Sequence, residues 1–528
     1  MLAEPLKPDG FPMVSSHDPS RPLTAGVVGA GIAGLSAAIA LRRAGFQVQV
    51  YERSRLGDEI GAAISTPPNA TVALRRWGFD FAAAGAVPNK CTRYAVAADL
   101  RTVFKSEYED IETAMGAPSL SFHRVDLHRG LRALATGDAE RGREDGQGGD
   151  EDGRKKGTPV AIRLGCEIRS VDCKNGILTL ADGSRVQKDL VVIADGARSR
   201  ILADFLGYPP VSQPTGRSIY RWLVSMDDVM ADPELAEQYR GKLPGFLGWF
   251  DGARHILWVN YTCRGGSVLN NAVVHDSEDY FPPQSSSSDT SRQLGHGTQG
   301  ERREDGAEDE RDMLWHVAAA KETVLQTLSN FHPAARRIVS MASEDGIRVH
   351  RLYKRPPLES FVRGRAVVIG DAAHVMIPTH AAGCAVAIES ASVLEALFTD
   401  LKESLSTTGN DYDGRVGKEE TNSERLGQGN DRTRERIIQE RLQLFDKLRV
   451  PRCNLTMLAS NSGPEWLRVP GLEQEIRRFY NGPLPSKQAL PWGEEFREVL
   501  FHYDAFEAAK QALRDEKANK NGGTQVQS

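Results

Sequence analysis

The sequence predicts an α/β protein with a parallel-sheet domain, an antiparallel-sheet domain and a set of C-terminal helices. Short runs rich in valine and isoleucine, each followed by glycine or charge, are typical of buried parallel strands. A glycine-rich turn follows the first of these runs and opens into a helical pattern. Residues 217–274 alternate apolar and polar side chains and contain many aromatics, which predicts an antiparallel sheet.

The individual elements follow from the same periodicities. Parallel strands are predicted at residues 27–28, 48–51, 190–194 and 366–369. Helical spacing predicts helices at residues 34–44, 382–397 and 437–448.

Composition excludes several classes of protein. The chain has 528 residues with 66 Lys and Arg against 71 Asp and Glu, a formal charge of −5, so it lacks the basic surface that nucleic-acid binding requires. No stretch approaches 18 apolar residues, which argues against a membrane span, and residues 1–22 lack the pattern of a signal peptide. The six cysteines form no CxxC pair and no metal-ligand spacing with histidine, so we expect reduced thiols, no metal site and a cytoplasmic protein.

The first glycine-rich turn has the features of a Rossmann-like dinucleotide site. Gly29 permits the tight turn, Gly31 lets the backbone approach a pyrophosphate, and Gly34 allows close packing of helix and strand. The second strand ends in Glu52, where an acidic side chain can accept hydrogen bonds from a ribose. NAD, NADP and FAD all remain open at this point.

Later segments of the chain resemble a known family, and this resemblance favours FAD among the three dinucleotides. Together with GAGIAG at 29–34, the chain resembles the single-component FAD-dependent aromatic hydroxylases, the class A flavoprotein monooxygenases, and within them the salicylate hydroxylase-like branch. The segments that carry the resemblance are GDAAH at 370–374 with Pro378 and Gly383, DGARS at 195–199, HRVDLH at 123–128, EIGAAI at 59–64, PNA at 68–70 and YDA at 503–505.

Resemblance and composition together predict the domain limits. FAD-binding parts are predicted at 23–100, 123–210 and 346–402, substrate-domain parts at 101–122 and 211–345, a C-terminal helical region at 436–515, and disordered segments at 1–22, 137–156, 277–312, 403–435 and 516–528.

The resemblance also implies which residues hold FAD. Asp371 accepts bonds from the ribityl hydroxyls, Asp195 belongs to the fingerprint associated with FAD and NAD(P)H, and Arg124 binds the cofactor while Ala63 lines it. The backbone of Gly383 and Cys384 faces the flavin ring at a helix start. Judged without the resemblance, a surface ion pair with Asp126 is the favoured interpretation of Arg124, and Cys384 is a small buried residue rather than a nucleophile.

The chain departs from the family in its third fingerprint. Ala382, Ala385 and Ser390 stand where the family commonly has Gln, Asn and Asp. Because backbone contacts survive such changes, they bear on substrate reactivity more than on flavin binding.

Arg221 and Tyr261 are carried over as the catalytic pair, since SIYRW at 218–222 and NYTCRGG at 260–266 resemble the corresponding strands of the branch. An arginine can hold a phenolate or carboxylate, and a tyrosine hydroxyl can stabilise the phenol proton. Strand propensity alone favours a different interpretation, with the aromatics as strand residues and Arg221 in water.

The implied function is an NAD(P)H-consuming, FAD-dependent monooxygenase that hydroxylates an aromatic, phenolic or salicylate-like substrate, polyketide-derived ones included, with dioxygen through a flavin hydroperoxide. A flavin-dependent epoxidase or reductase of a secondary-metabolite pathway is the alternative, and a flavoprotein interaction module is a third. The choice between NADH and NADPH and the oligomeric state stay open.

Overall fold

The computed structural model describes residues 21–55, 62–138, 157–277, 317–401, 422–463, 466–489 and 492–523. Three of the predicted disordered segments lie mostly outside these residues, namely 1–22, 137–156 and 277–312. Residues 59–61 of the EIGAAI segment also lie outside them.

Twenty strands are present in the described part of the chain. They are β1 (Thr24–Val28), β2 (Gln47–Glu52), β3 (Ala63–Thr66), β4 (Val87–Pro88), β5 (Cys91–Val96), β6 (Thr102–Glu107), β7 (Leu120–His123), β8 (Ala161–Leu164), β9 (Ile168–Asp172), β10 (Ile177–Leu180), β11 (Arg185–Gln187), β12 (Leu190–Ile193), β13 (Gln213–Ser225), β14 (Gly245–Asp251), β15 (Ile256–Cys263), β16 (Val268–Asp276), β17 (Val317–Ala318), β18 (Arg348–Lys354), β19 (Val362–Arg363) and β20 (Ala366–Val368).

The α-helices of the same residues are α1 (Ile32–Arg43), α2 (Pro68–Arg76), α3 (Ile111–Met115), α4 (Arg124–Thr136), α5 (Leu202–Leu206), α6 (Met226–Ala231), α7 (Pro233–Tyr239), α8 (Lys321–Thr327), α9 (Pro333–Ser340), α10 (Asp371–His374), α11 (Gly383–Phe398), α12 (Asn422–Asn461), α13 (Leu472–Arg477), α14 (Glu494–Phe501) and α15 (Ala505–Gly523).

A six-stranded sheet in the order β19-β20-β12-β1-β2-β8 forms the first domain, and all its pairings except β19–β20 are parallel. Its central strands are buried on both faces because helices cover them, with Val27, Val50 and Val192 fully inaccessible. Helices α1 and α11 pack against each other beside this sheet. The Rossmann-like parallel sheet predicted from the valine-rich runs is therefore confirmed.

An eight-stranded sheet in the order β17-β18-β13-β16-β15-β14-β5-β6 forms the second domain. Its pairings are antiparallel except β14–β5, so the predicted antiparallel sheet over residues 217–274 is confirmed. One face buries Trp222, Trp249 and Trp258 in a single apolar core. The other face meets the parallel-sheet domain and the C-terminal helices.

The structure differs from the predicted limits where the chain crosses between the two sheets. Strand β5 already belongs to the eight-stranded sheet, about ten residues before the predicted crossing, and β18 still belongs to it after the predicted return. Pairing partners lie far apart in sequence, so local patterns cannot place these crossings.

Two segments predicted to be disordered end in helix instead. Residues 422–435 form the start of α12, and residues 516–523 the end of α15. Their charged composition argues against burial but not against helix, since Glu, Lys, Arg and Gln are good helix formers. The side chain of Arg434 also holds α12 by donating to the main-chain oxygen of Arg21 at 2.9 Å.

All six cysteines are unpaired. None of the helices in the described ranges has both the length and the apolar composition needed to cross a bilayer.

Candidate cofactor groove and substrate face

The glycine turn after β1 leaves the start of α1 open. Gly29 has a φ of +98°, in the left-handed region that favours glycine, and a Cβ on Gly34 would lie 1.9 Å from the main-chain oxygen of Gly29. Gly31 precedes α1 without a side-chain cap, and a Cβ there would meet no atom within 4 Å. No side chain at this position therefore blocks the free amides of the first turn, as an anion site requires.

Glu52 holds this turn from the neighbouring strand. Its carboxylate accepts from the backbone N–H of Ala30 at 2.7 Å and of Ser54 at 2.8 Å. His128 approaches from the other side, with its Nε2 2.7 Å from the main-chain oxygen of Ala30. Glu52 is thus fixed in place, and a carboxylate has further lone pairs for a ribose.

Asp195 lies next to the same turn, directly after β12. It lines one pocket with Gly29 and Glu52, so the structure brings together three residues that the sequence assigned to one cofactor. Burial raises the pKa of the Asp195 carboxyl, while a hydrogen bond from Ser199 lowers it. Its Oδ1 is buried with no hydrogen-bond partner in the described residues.

Asp371 also lies near the first turn of α1. Gly370 has a φ of +63°, and a Cβ on it would lie 2.6 Å from the Cβ of Ala33 in the first turn of α1. Arg355 fixes the backbone here by donating to the main-chain oxygens of Asp371 and Ala372. The carboxylate of Asp371 is exposed and makes no hydrogen bond or ion pair within the described ranges.

Arg124 begins α4, and its guanidinium has no hydrogen-bond or ion-pair partner among the described residues. Asp126, the partner that a surface ion pair would need, is instead bound by Arg264, whose Nε lies 2.8 Å from its Oδ2. The charges of Arg124 and Asp371 both act on Cys384, and burial raises the pKa of the Cys384 thiol to about 12. Cys384 therefore stays protonated, in agreement with the expectation that it is no nucleophile.

Ala63 lies beside this end of the groove. Its N–H donates to Oδ1 of the buried Asn270 at 3.0 Å, and the Arg124 N–H donates to the main-chain oxygen of Ala62 at 2.8 Å. Strand β3 is thereby joined both to α4 and to the eight-stranded sheet.

Arg221 and Tyr261 share one face of the eight-stranded sheet. Arg221 pairs with Ala272 on β16, and Tyr261 pairs with Asn270 on the same strand, two residues away. Directly paired residues point to one side, and so do residues two apart, which places both side chains on the face of Asn270. Tyr220 and Trp222 alternate to the opposite face and are core residues, as strand propensity suggested for them.

The surroundings of this pair are electropositive. Burial lowers the pKa of Arg221, the Tyr261 hydroxyl favours its charge, and the charge of Arg124 opposes it. No carboxylate acts on Arg221 in the described part of the chain, and its Nε is buried without a hydrogen-bond partner there. Burial raises the pKa of Tyr261, although Arg221 acts to lower it, so this phenol stays protonated.

Comparison with known proteins gives matches over the whole of this arrangement. The NAD(P)-binding Rossmann-like domain family matches residues 27–83, and the FAD binding domain family matches residues 298–411. The FAD-dependent monooxygenase cfoG of Aspergillus candidus is 28% identical over 92% of this chain and 94% of its own length. Hispidin-3-hydroxylase of Neonothopanus nambi is 28% identical over 70% of this chain and 79% of its own. A solved salicylate hydroxylase in complex with its substrate superposes with a TM-score of 0.60 at 19% identity, covering 93% of this chain and 98% of that one.

These matches support an FAD-dependent aromatic hydroxylase. The structure of the groove itself, apart from these comparisons, fits FAD. The first turn of α1 offers free amides for a pyrophosphate, and Asp195 has a buried oxygen without a partner among the described residues. Within the same part of the chain, Asp371 and Arg124 supply an anion and a cation that form no ion pair.

Several residues of the hydroxylase site escaped the sequence analysis. His128 was part of the HRVDLH segment, but its contact with Ala30 was not foreseen. Asn270 had one signal, since asparagine is disfavoured in strands and its presence in an alternating pattern indicates a specific hydrogen bond. No sequence signal pointed to Arg355, because an arginine that follows a strand is common at protein surfaces.

Two buried histidines of the hydroxylase predict an acid-sensitive fold. Burial lowers the pKa of His374 to about 4 and of His380 to about 3. Below pH 6.5 the unfolded chain takes up protons that the folded chain refuses, so stability falls as pH falls towards these values. The unfolding free energy of the wild type should fall between pH 7.5 and pH 5. We expect this fall to be about 2 kcal/mol smaller in His380→Gln. Urea titrations of the apoprotein at both pH values measure this, and an unchanged pH dependence in the variant would contradict it.

Proposed function

We propose that this hydroxylase consumes NAD(P)H and dioxygen to hydroxylate a phenolic or salicylate-like aromatic substrate, bound as its anion. The observation that carries the proposal is Arg221, a half-buried cation with an inaccessible Nε, which faces the cofactor groove with no carboxylate acting on it in the described residues. An isolated buried charge costs free energy unless a ligand pairs with it.

The chain's own residues would hold the cofactor along the groove. The amides around Gly31 would bind the pyrophosphate, Glu52 a ribose, and Asp371 the ribityl hydroxyls, while the backbone of Gly383 and Cys384 would face the ring. Bound FAD supplies the chemistry of accepting hydride from NAD(P)H and passing one oxygen atom of dioxygen to a substrate, the other leaving as water.

Arg221 and Tyr261 would hold the substrate in its reactive form. The guanidinium can bind a phenolate or carboxylate oxygen through charge-assisted hydrogen bonds. Because burial keeps Tyr261 protonated, its hydroxyl donates a hydrogen bond to that oxygen rather than removing a proton. Both interactions favour the phenolate, which enriches the ring in electrons where electrophilic oxygen transfer needs them.

The names of the relatives are consistent with this substrate class. One is named for the 3-hydroxylation of hispidin, and one solved structure is a salicylate hydroxylase with its substrate. The match to an NAD(P)-binding family falls on the glycine turn assigned to FAD, so it does not indicate a separate nicotinamide domain.

The test is a substrate screen with the purified holoenzyme. NADPH and NADH oxidation would be followed with phenolic acids and polyketide phenols, and the products weighed after reaction under ¹⁸O₂. We expect a phenol that stimulates oxidation and gains one labelled oxygen. Label in an epoxide, or oxidation of NAD(P)H with an unlabelled product, would replace the proposal by an epoxidase or a reductase.

Tyr261→Phe tests the second member of the pair. Loss of one donor to a developing charge is expected to lower kcat about tenfold to a hundredfold, with the FAD dissociation constant unchanged. Tyr239→Phe is the matched control, because that buried hydroxyl donates to Asn260 at 2.8 Å on the opposite face of the sheet. Equal losses in both variants would remove the assigned role of Tyr261.

A further inference from the structure

Two motifs of the sequence, PNA at 68–70 and YDA at 503–505, have no part in the groove described above. The structure brings both to Glu389, a fully buried carboxylate on α11. Asn69 donates through its Nδ2 to Glu389 Oε1 at 2.6 Å. Tyr503 lies under Arg452, whose guanidinium carbon is 4.8 Å from the ring centroid.

Two arginines of α12 complete the arrangement. Arg449 Nη2 lies 2.7 Å from Glu389 Oε2, and Arg452 Nη2 lies 3.0 Å from Oε1. We name this group the Glu389 cluster; its members are Asn69, Glu389, Arg449, Arg452 and Tyr503.

The Glu389 cluster binds the first turns of α11 through hydrogen bonds. Arg449 donates through Nη2 to the main-chain oxygen of Val386 at 3.0 Å and through Nε to the hydroxyl of Ser390 at 3.1 Å. Arg452 donates to the main-chain oxygens of Val499 and Leu500, which joins α11 to the C-terminal region. The start of α11 offers its amides to the groove. Arg449 and Arg452 therefore fix this part of α11 from the side that faces away from the groove.

The cluster also carries an excess of positive charge. It sets two guanidinium groups against one carboxylate, and burial raises the pKa of Tyr503 so that this phenol is neutral. The nearby His374 is neutral as well, since burial lowers its pKa. One positive charge thus stays uncompensated among the described residues of the cluster. Such burial is costly for stability, which indicates a use other than holding the fold.

We propose that the Glu389 cluster positions α11 and, through its uncompensated charge, raises the affinity of the groove for reduced FAD over oxidised FAD. Reduced FAD carries the greater negative charge, so a cation behind the helix favours it in the same sense as the helix dipole. The proposal rests on FAD binding and not on the substrate or the oxygen chemistry.

The experiment changes the cluster charge in both directions. Glu389→Gln raises the net charge and is expected to shift the flavin midpoint potential to more positive values, and Arg452→Gln lowers it and is expected to shift the potential to more negative values. Each shift should correspond to about a threefold change in the ratio of dissociation constants for oxidised and reduced FAD. Midpoint potentials would be measured by dye equilibration of the holoenzyme without substrate.

Glu395→Gln is the matched control. Glu395 is also a fully buried carboxylate of α11, paired with Arg43 at 2.8 Å, but it lies six residues further from the helix start, about 9 Å along the axis. We expect it to reduce the thermal stability of the apoprotein while leaving the potential almost unchanged. Shifts of the same sign in the two cluster variants, or an equal shift in the control, would overturn the proposal.

A variant that keeps all charges covers the case in which the others do not fold. Tyr503→Leu removes the aromatic ring that lies under the Arg452 guanidinium. It is expected to weaken FAD binding about threefold, measured by quenching of flavin fluorescence, with an unchanged potential. FAD binding as tight as in the wild type would overturn the positioning role.

Discussion

Replacing Arg221 by alanine is expected to lower kcat/KM for the phenolic substrate about a thousandfold while FAD stays bound. The Arg221 side chain is half-buried with an inaccessible Nε and has no acidic partner in the described part of the chain, so water only partly screens its interaction with a substrate anion. Removing such a contact from a dry site costs on the order of 3 to 4 kcal/mol of transition-state stabilisation. Steady-state NAD(P)H oxidation and the flavin absorbance of the purified variant measure the two quantities.

Two further variants make this prediction specific. Arg217→Ala removes an arginine on the same face of β13, four residues away, whose Nε lies 3.3 Å from Asp276, and it is expected to keep normal turnover. Arg221→Lys keeps the charge but loses the planar fork, so we expect an intermediate rate. Full activity in Arg221→Ala, or equal losses in Arg217→Ala, would show that Arg221 does not bind the substrate.

Gly34→Ala is expected to prevent folding of the cofactor domain. A Cβ at this position would lie 1.9 Å from the main-chain oxygen of Gly29 and 3.0 Å from its carbonyl carbon, and neither backbone atom can move aside cheaply. Relief of that overlap requires separation of α1 from β1, in the middle of the buried parallel sheet, at a cost above about 3 kcal/mol. Thermal unfolding and the yield of soluble protein measure the effect.

Gly31→Ala is the informative companion, because the same substitution three residues earlier should spare the fold. Gly31 has a φ of −69°, which any residue adopts, and its Cβ would meet no protein atom within 4 Å. We expect unchanged apoprotein stability and FAD binding at least about tenfold weaker, since the methyl group would occupy space that the pyrophosphate needs. Normal FAD affinity would show that the cofactor does not approach this turn.

The turn and the sheets could be predicted because their signals are local. Gly29, Gly31 and Gly34 follow a valine-rich strand and open a helix, and the steric reasons for each glycine are visible in the sequence itself. The alternation of residues 217–274 likewise predicted an antiparallel sheet. Resemblance then singled out Asp371 and Arg124, and the structure gives both a place beside α1 and the groove.

Other features depended on partners far along the chain. Asn270 supports Ala63 from more than 200 positions away, and Arg449 and Arg452 reach Glu389 from a helix whose start was placed fifteen residues too late. The limits between the two sheets shifted for the same reason, because strand pairing is decided by which edges meet.

The sequence by itself determined the Rossmann-like start, the antiparallel sheet and the family, because glycine sterics, side-chain periodicity and motif order are properties of short segments. Only the tertiary structure decided that Arg221 is half-buried without an acidic partner in the described residues and that α11 is held by a cluster with excess positive charge. Burial and the balance of charge depend on which distant segments fold against each other, and no local pattern contains that information.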